Sequence, residues 1–527
     1  MRVLDKSSIK ELLASRFAAE EKKLSQIPDP ALLGDAEKAV KRIAQAIQNK
    51  ERIAVVGDYD VDGIVSTAIA VEFFKLIEYP LIATIPNRFH DGYGVNASVL
   101  SRIDADVIFT VDNGITAVEA AKICKERGVD LIITDHHTPP KTLPDAYAIV
   151  DPKLEGCNYP FKEICGAQVV WLLLGLLKRE LEADVDMGSF LDLLCIAIIA
   201  DIMPLVDINR ALVKRGLRLL MNSKRPASII IRDFLNKSRI TSEDIAFMIA
   251  PRINSAGRLE DASIALEFLC AETTQKAYEQ FEKLGSLNEF RKETEAEAVA
   301  EAIALAEKMS GDVLVVAKEG WHEGVVGIVA SRLVDRFEKP AIVLSIDGEK
   351  AKGSARSLGD VDIFSLIAQN AKYLDKFGGH TMAAGLTLAV ENIDAFRVGI
   401  NESAKVLPKE AFTPKDEIMG ILPAEEIDYE LLDILESFEP YGEANTRPKF
   451  FAKNAEVVHA RTFGADHSHS KLTLRLHPED RITHEFILFR KVIDPSTTPH
   501  ISCSYTLNKN EFNNRISLQL LVSKVYE

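Results

Sequence analysis

The first half of the chain alternates between short apolar runs and longer helix-like segments. Runs rich in β-branched residues occupy 53–57, 107–111 and 131–134, and each has the length of a buried strand. Helical periodicity follows the first run over 64–74 and the second over 116–127. Alternation of this kind predicts an α/β fold with a mainly parallel sheet and helices on both of its faces.

The rest of the chain has a different pattern. Helices are predicted over 167–183, 190–200 and 210–222, and a helix-like stretch over 273–309 predicts a connector helix that Gly285 could break. Short alternating strands towards the C-terminus predict a small barrel such as an OB-fold. The predicted domains are an N-terminal helical segment (1–50), a first α/β domain (51–270), the connector helix (271–310), a second α/β domain (311–395) and the barrel (413–527).

Acidic and histidine residues stand directly after the predicted strands or at the end of an apolar helix. They are Asp58, Asp60, Asp62, Asp112, Asp135, His136, His137 and Asp201. Residues just past the carboxyl ends of parallel strands share one crevice, where carboxylates repel one another unless a cation neutralises them. Oxygen and imidazole ligands suit Mn²⁺ or Mg²⁺. The pattern therefore predicts a hydrolase with two metals that acts on a phosphate ester.

Two other interpretations of the Asp58–Asp62 turn are weaker. A helix N-terminus favours one acidic residue, but it does not account for three at alternating positions. An EF-hand loop requires a ligand spacing and a terminal glutamate that are absent here. A lone histidine is more often structural than a ligand, and it is the pair His136 and His137 that favours a metal.

Composition limits the class of protein without identifying it. The 527 residues exceed one core, 47% of them are hydrophobic, and no apolar run is long enough to span a bilayer. The net charge of −16 argues against general nucleic-acid binding, but residues 451–527 hold ten Lys or Arg against eight Asp or Glu. Six scattered cysteines without a CxxC pair predict reduced core thiols. The N-terminus lacks a signal-peptide core, so a cytoplasmic location is expected.

Several motifs together resemble one family. The segments 58–63, 111–114, 135–137 and 200–205 resemble the four motifs of the DHH phosphoesterase superfamily, and more narrowly those of its RecJ family of single-strand-specific DNA exonucleases. Further segments resemble the RecJ family's Arg…GlyTyrGly and Arg-Ile-Asn motifs, its DHHA1 domain and its OB-fold, namely 88–94, 252–258, 320–328, 377–380 and 440–445. The resemblance extends from about residue 50 to the end of the chain.

The resemblance implies a set of metal ligands for two Mn²⁺ or Mg²⁺ ions. These ligands would be Asp60, Asp62, Asp112, His136 and Asp201, with Asp58 in or beside the ligand set. Asp112 would bridge the two ions, and His137 would contact the scissile phosphate rather than a metal. Which histidine binds which ion stays open at this point.

Substrate-binding residues are implied in the same way. They are Arg88, Arg252, Arg258, Ser354, Arg356, Ser357 and His380. The planar guanidinium of arginine binds phosphate through two parallel hydrogen bonds, and a surface ion pair is the ordinary alternative for each of these arginines. Segment 353–357 resembles a phosphate-contacting loop of the DHHA1 domain, although Ala355 replaces a glycine that is usual there. Ala444 also replaces a family glycine, which makes the local turn geometry uncertain.

The predicted barrel contains aromatic and basic residues that could bind single-stranded nucleic acid. Phe450, Phe451, Phe463 and Tyr505 could stack on bases, and Lys449, Arg461 and Lys471 could contact phosphates. Aromatic residues that fill a small barrel core are an equally strong interpretation of the same pattern.

The resemblance implies a 5′→3′ exonuclease that degrades single-stranded DNA to mononucleotides in recombination and repair. Single-strand binding protein and a repair helicase are the implied partners, with no membrane association, and a monomer is the default. The alternatives are a DHH phosphoesterase for small substrates, an inorganic pyrophosphatase and a non-catalytic replication scaffold. The small-substrate enzymes are generally shorter, and scaffolds of this fold lose ligands that are present here.

Overall fold

The computed structural model describes residues 1–17, 22–414, 417–464, 467–512 and 515–526. The last residue of the predicted barrel domain, Glu527, lies outside the described residues. The chain forms two compact units, of which the first comprises residues 1–254, 262–281 and 417–527, and the second comprises 255–261 and 282–416.

A five-stranded parallel sheet forms the core of the first α/β domain. Its strands are β1 (Ile53–Val56), β2 (Leu81–Thr84), β3 (Val107–Val111), β4 (Asp130–Thr134) and β5 (Ala148–Val150), in the order β2-β1-β3-β4-β5. Every neighbouring pair is parallel, so the carboxyl ends of all five strands lie along one edge. Strands β1 and β3 are buried throughout, as their continuous apolar sequence requires in a sheet covered on both faces. The predicted parallel α/β fold is confirmed.

Helices make up most of the described chain between the strands and up to residue 270. They are α1 (Lys6–Ala14), α2 (Ala36–Asn49), α3 (Val61–Leu76), α4 (Ala97–Ser101), α5 (Val118–Glu126), α6 (Gly166–Glu180), α7 (Leu191–Ala200), α8 (Asp207–Asn222), α9 (Pro226–Leu235), α10 (Ser242–Asp244), α11 (Ala250–Leu259) and α12 (Ser263–Leu269). A π-helical turn over Ile245–Ile249 joins α10 to α11. Helices α3 and α7 are apolar on nearly all sides and are buried accordingly.

The helices of the N-terminal segment pack in two places. Ile9 and Leu13 of α1 belong to the barrel core, and Val3 pairs with Ile421 of the barrel. Helix α2 packs against α6 and β5 in the first α/β domain. Within the described residues, α1 therefore packs with the barrel and α2 packs with the α/β domain.

The connector is a single helix, α13 (Thr274–Ala306), of 33 residues. The expected break near Gly285 is wrong, because the helix runs through that position without interruption. A glycine in a helix interior costs about 1 kcal/mol. Burial of the neighbouring Leu284 and of Phe281 on the same helix offsets that cost.

The second unit contains a mixed five-stranded sheet. The elements are β6 (Leu314–Glu319), α14 (Val326–Phe337), β7 (Ala341–Asp347), β8 (Lys350–Arg356), α15 (Ile363–Gln369), β9 (Lys376–His380), β10 (Ala383–Ala389) and α16 (Ile393–Ala404). The strand order is β6-β7-β8-β10-β9, and only β6 and β7 run parallel. The expected loop over 353–357 is wrong, because residues up to Arg356 form the central strand β8. Pairing with β7 and β10 on its two sides engages its backbone groups in the sheet, so they are not available to bind a phosphate.

A closed barrel completes the first unit. Its elements are β11 (Ile418–Gly420), α17 (Tyr429–Ser437), β12 (Lys449–Phe463), β13 (His469–Arg475), β14 (His484–Leu488), β15 (His500–Phe512) and β16 (Arg515–Tyr526). Strand β12 pairs with both β13 and β15, which closes the sheet and confirms the predicted OB-like barrel. Phe450 and Tyr505 are fully buried in the core, so the expectation that they stack on bases is wrong. Phe451 and Phe463 are only partly buried.

The six cysteines are unpaired, as predicted. Among the described helices, none combines the length and the apolar content that are needed to cross a bilayer.

Candidate metal centre

The turn after β1 places three carboxylates at the carboxyl edge of the parallel sheet. Asp60 caps α3, since its Oδ1 accepts a hydrogen bond from the Gly63 N–H at 3.1 Å. Asp58 and Asp62 are buried, at 3% and 2% exposure. A Cβ on Gly63 would lie 2.6 Å from the Asp58 Cα, so only glycine lets the helix start this close to the turn.

Asp112 follows β3 in a left-handed backbone conformation, with a φ of 63°. Such a conformation is costly for a residue with a side chain and persists only where the surroundings enforce it. The buried Asn113 supplies that constraint, because its amide donates to the carbonyls of Val56 at 3.1 Å and Val111 at 2.9 Å. Its Oδ1 accepts from the Val95 N–H at 2.9 Å. Asn113 belongs to the motif over 111–114, but its structural role was not predicted from the sequence.

His136 brings the carboxylates together. Its Nε2 lies 3.1 Å from the Asp112 Oδ1, 3.7 Å from the Asp62 Oδ2 and 3.6 Å from the Asp201 Oδ2. Asp201 reaches this position from the C-cap of α7, and its side chain keeps 26% exposure. The structure thus brings together residues that are up to 143 positions apart in the sequence, from Asp58 to Asp201.

Ligand atoms within 4.8 Å of one another form three groups. The groups are Asp58, Asp60 and Asp112; Asp62, His136 and Asp201; and Asp112, His136 and His137. All seven predicted catalytic residues are therefore found in one cluster. Asp112 belongs to two groups, and a carboxylate shared in this way suits a pair of neighbouring cations.

Several polar atoms of the cluster are buried without a hydrogen-bond partner in the part of the chain that the structure describes. They are the Asp58 Oδ1, the Asp112 Oδ1, the His136 Nδ1 and the Asp201 Oδ2. A buried polar atom without a partner costs about 1–3 kcal/mol, so the cluster is unfavourable unless a bound species satisfies it. Carboxylate and imidazole donors in this number fit Mn²⁺ or Mg²⁺.

The electrostatics of the cluster lead to the same conclusion. Burial, followed by the charge of Asp60, raises the pKa of Asp58 well above its usual range. Burial and the charges of Asp62 and Asp60 do the same to the pKa of Asp112. Burial lowers the pKa of His136 to about 4, which keeps its imidazole neutral, as a metal ligand must be.

The surroundings of His137 shift its pKa in the opposite direction from that of His136. Burial alone would lower its pKa, but the hydrogen bond and negative charge of Asp135 outweigh burial and raise the pKa to about 9. The His137 Nδ1 lies 2.7 Å from the Asp135 Oδ1. The other carboxylate oxygen, Asp135 Oδ2, accepts from the Ile115 N–H at 2.9 Å, which fixes Asp135 in turn. His137 is therefore a cation that Asp135 holds in a defined orientation.

The N-terminus of α6 holds Asp62, a contact that the sequence analysis missed. The Gly166 N–H donates to the Asp62 Oδ2 at 2.6 Å, and the Ala167 N–H donates to its Oδ1 at 2.9 Å. A Cβ on Gly166 would lie 2.5 Å from the Asp112 Cβ. The glycine is thus required for α6 to reach Asp62 past Asp112. A glycine directly before an apolar helix is the only signal of this contact in the sequence.

Of the predicted arginines, Arg88 lies beside the metal centre and Arg252 packs against aromatic rings. The Arg88 guanidinium lies 5.3 Å from the ring centre of Tyr59, which contacts the ring of Tyr93 edge-on at 6.1 Å. Burial and the charge of Asp58 raise the pKa of Tyr93, although Tyr93 as a whole stays 49% exposed. The Arg252 guanidinium lies 4.2 Å from the ring centre of Phe234.

The remaining predicted substrate residues lie in the second unit. Arg356 donates to the Ser354 Oγ at 2.7 Å, and both side chains lie against Gly327 in the first turn of α14. Arg258 donates to the carbonyl of Gly324, just before that helix, at 3.3 Å.

The other two residues predicted in the second unit, Ser357 and His380, are placed differently. The Ser357 hydroxyl donates to the Val361 carbonyl, and His380 lies on the exposed edge strand β9. Arg258, Ser354 and Arg356 therefore all lie near the N-terminus of α14, a place that attracts anions.

Comparison with family models assigns three parts of the chain. A model described as the DHH family, N-terminal domain, matches residues 52–198, one described as the DHHA1 domain matches 310–405, and one described as the RecJ OB domain matches 418–524. The three models follow the first α/β domain, the second α/β domain and the barrel.

Named relatives are similar along most of the chain. Proteins named single-stranded-DNA-specific exonuclease RecJ are 33% identical in Haemophilus influenzae and 31% identical in Escherichia coli. The matches cover 96% and 98% of this chain, and 93% and 95% of those proteins. The protein of that name in Bacillus subtilis is 38% identical over 94% of this chain, and the match spans 64% of its length.

Solved structures are similar as well. A RecJ from Thermus thermophilus in complex with Mn²⁺ has a TM-score of 0.80 and 27% sequence identity, and the match covers 100% of this chain and 79% of that one. An exonuclease RecJ bound to manganese has a TM-score of 0.63 and 32% identity, with 72% and 96% coverage.

Proposed function

The chain belongs to the RecJ family of single-stranded-DNA-specific exonucleases, and we propose that it degrades single-stranded DNA from the 5′ end and releases mononucleotides. The observation that carries this proposal is the convergence of six carboxylate and imidazole ligands, with the cation His137, at the carboxyl edge of the parallel sheet. The unsatisfied buried atoms of the cluster support a reaction that depends on bound cations. Recombination and repair are the proposed context.

Two Mn²⁺ or Mg²⁺ ions fit the ligand groups. Asp58, Asp60 and Asp112 would hold one ion, and Asp62, His136 and Asp201 would hold the other. The 3.1 Å approach of Asp112 to His136 supports Asp112 as the ligand shared by both ions. When bound, the ions neutralise the phosphoryl group and lower the pKa of a water molecule.

The protein's own residues orient the phosphate. His137 is positively charged and is held by Asp135 through its Nδ1, so its other ring nitrogen is suited to donate a hydrogen bond to a phosphate oxygen. This supports the phosphate-contacting role that the sequence predicts for His137. Arg88, held beside Tyr59, is the second cation proposed to contact the DNA backbone near the metals.

The cluster at the N-terminus of α14 is the proposed binding site for a terminal 5′-phosphate. Arg356 and Ser354 are already hydrogen-bonded to each other, and Arg258 lies at the start of the same helix. An arginine fork and the partial positive charge of a helix N-terminus both favour a doubly charged phosphate. His380 is proposed as an additional contact, and Ser357 as a structural support that places Arg356.

An apolar cavity beside Asp201 supports a single-stranded substrate. It has a volume of about 730 Å³ and is lined by Ile202 and Phe247 of the first α/β domain and by Tyr441, Lys449 and Asn508 of the barrel. Phe247 projects from the π-helical turn with 77% exposure. Exposed rings and basic side chains bind unpaired bases and backbone without reading the sequence. Phe247, and not the buried Phe450 or Tyr505, is the proposed stacking residue.

The cellular setting is proposed from the substrate. A DNA-degrading enzyme that takes only single strands needs a source of those strands, so we infer a repair helicase and single-strand binding protein as functional partners. The proposed location is the cytoplasm, where bacterial DNA lies, and the proposed state is a monomer.

The test is a degradation time course on an oligonucleotide labelled at its 3′ end, with Mn²⁺ or Mg²⁺, beside the matching blunt duplex. Progressively shorter labelled products from the single strand, with the duplex intact, are expected. The matched control is Asp112→Asn, which should leave both substrates intact. Hydrolysis of dinucleotides or phosphoadenosine phosphate without cleavage of long strands would instead assign the chain to the small-substrate branch.

A further inference from the structure

A buried pair of amide side chains, Gln168 and Asn209, lies close to the metal centre but contributes no ligand. Gln168 is 1% exposed and Asn209 is fully buried. The Gln168 Nε2 donates to the Asn209 Oδ1 at 2.8 Å. The two residues belong to different helices, α6 and α8, so this bond joins two elements of the first α/β domain.

One end of the pair is attached to the structure that holds Asp62. The Gln168 Oε1 accepts from the Cys165 N–H at 3.2 Å, and Cys165 is the N-cap of α6. The next two residues, Gly166 and Ala167, donate the hydrogen bonds that hold the Asp62 carboxylate. Gln168 therefore stabilises the turn from which Asp62 is oriented.

The other end of the pair is attached to the segment that carries Asp201. The Asn209 Nδ2 donates to the Pro204 carbonyl at 3.0 Å and to the Glu163 carbonyl at 2.8 Å. Pro204 lies three residues after Asp201, and Glu163 lies two residues before the N-cap of α6. Asn209 thus bridges the segment that carries Asp201 and the segment that leads into α6.

The segment after Asp201 needs such support. Ile202 has a φ of 56°, which is a costly conformation for a β-branched residue, and its side chain is 68% exposed. Packing of the Ile202 side chain therefore cannot be what holds this backbone in place. An apolar residue at position 209 would also remove the donor to these two carbonyls and leave the buried Gln168 Nε2 without its acceptor, and a buried polar group without a partner is destabilising.

We propose that Gln168 and Asn209 are positioning residues that set the distance between Asp62 and Asp201, and with it the affinity for the metal ion that these two carboxylates share with His136. The proposal rests on the metal-dependent function proposed above. Both carboxylates approach the His136 Nε2 within 3.7 Å, and each reaches it from a segment that the amide pair joins to the other. Groups that orient metal ligands from outside the ligand set typically change metal affinity by about 10- to 100-fold when they are replaced.

The test measures binding of Mn²⁺ alone to the full chain, by calorimetry and by the electron paramagnetic resonance signal of free Mn²⁺. Asn209→Leu removes the bridge with little change in volume, and we expect it to weaken Mn²⁺ binding by about 10- to 100-fold. Gln168→Met is the milder variant, which keeps both carbonyl bonds of Asn209. We expect Gln168→Met to weaken Mn²⁺ binding by at least about fivefold, because it removes the two neutral hydrogen bonds that Gln168 makes with Cys165 and Asn209.

The matched control is Asn370→Leu in the second unit. Asn370 is also a buried amide, at 3% exposure, and it donates to the Leu366 carbonyl and to the Ser403 Oγ. This control should lower the melting temperature of the metal-free protein as Asn209→Leu does, while Mn²⁺ binding stays unchanged. Loss of stability and loss of metal affinity are thereby separated.

Two outcomes decide the proposal. Weaker Mn²⁺ binding in Asn209→Leu and Gln168→Met, but not in Asn370→Leu, supports it. The proposal is overturned if Asn209→Leu and Gln168→Met bind Mn²⁺ as tightly as the unaltered chain and only their melting temperatures are reduced. Cleavage of single-stranded DNA by the unaltered chain is assayed in parallel. Absence of cleavage together with weakened binding in the variants overturns the proposed function and leaves the positioning role standing.

Discussion

Gly166→Ala is the substitution whose effect the structure defines most closely. The added methyl group would lie 2.5 Å from the Asp112 Cβ, 2.7 Å from its Oδ1 and 2.8 Å from its Cα. Carbon atoms in contact are normally about 3.5–4.0 Å apart, so α6 and Asp112 must separate by about 1 Å. A shift of that size would stretch the 2.6 Å bond from the Gly166 N–H to Asp62 beyond hydrogen-bond range.

The expected loss of stability follows from these contacts. Overpacking costs about 1–3 kcal/mol, and a lost hydrogen bond to a charged carboxylate costs about 1.5–3 kcal/mol. The higher helix propensity of alanine offsets this loss of stability by up to about 1 kcal/mol. We therefore expect Gly166→Ala to lower the free energy of unfolding by about 2–5 kcal/mol. A ligand displaced by about 1 Å can also reduce turnover by about 100-fold.

The assay combines denaturant unfolding of the metal-free protein with exonuclease turnover at saturating Mn²⁺. Gly175→Ala is the matched control, because Gly175 lies on the same helix and a Cβ there would meet no atom within 4 Å. It should raise stability by up to about 1 kcal/mol and leave turnover unchanged. If Gly166→Ala and Gly175→Ala have the same free energy of unfolding and the same turnover, the close approach of α6 to Asp112 is not what holds Asp62.

Four further predictions follow from the same contacts. Asp112→Asn should reduce turnover by about 10³-fold or more, as a shared metal ligand requires, and near-normal cleavage would refute the bridging role. Arg447→Met removes the hydrogen bonds that this buried cation donates to Glu243 and to Glu439, which keeps Arg239 as its other partner, so thermal unfolding should show a loss of about 1.5–3 kcal/mol; an unchanged melting temperature would contradict this. Affinity for single-stranded DNA should fall steeply between about 50 and 200 mM salt, and an affinity that does not change with salt would exclude binding through the phosphate backbone. Because burial raises the pKa of Asp58 and Asp112, Mn²⁺ must displace protons, so its half-saturating concentration should fall as pH rises; calorimetry that detects no proton release would count against this.

The predictions that proved wrong share one physical cause, because each concerns a segment whose structure is set by contacts with distant parts of the chain. Segment 353–357 has the glycine and serine content of a loop, but β7 and β10 flank it and supply the hydrogen bonds of a central strand. Gly285 is a weak helix residue, but burial of Leu284 beside it outweighs that preference. Alternation along β12 predicts two faces, and closure of the barrel decided that Phe450 points into its core.

The α/β fold, the barrel and the residues of the candidate metal centre could all be predicted from the sequence. Local hydrophobic runs define the strands, and in a parallel sheet every residue just past a strand end reaches the same edge. The contacts that orient those side chains became visible only in the folded protein. The N–H groups of α6 meet Asp62 across 104 positions of the chain, and Asn209 meets the segment of Asp201 through a carbonyl. Hydrogen bonds to backbone groups leave little trace in the sequence, because any residue can supply the backbone partner.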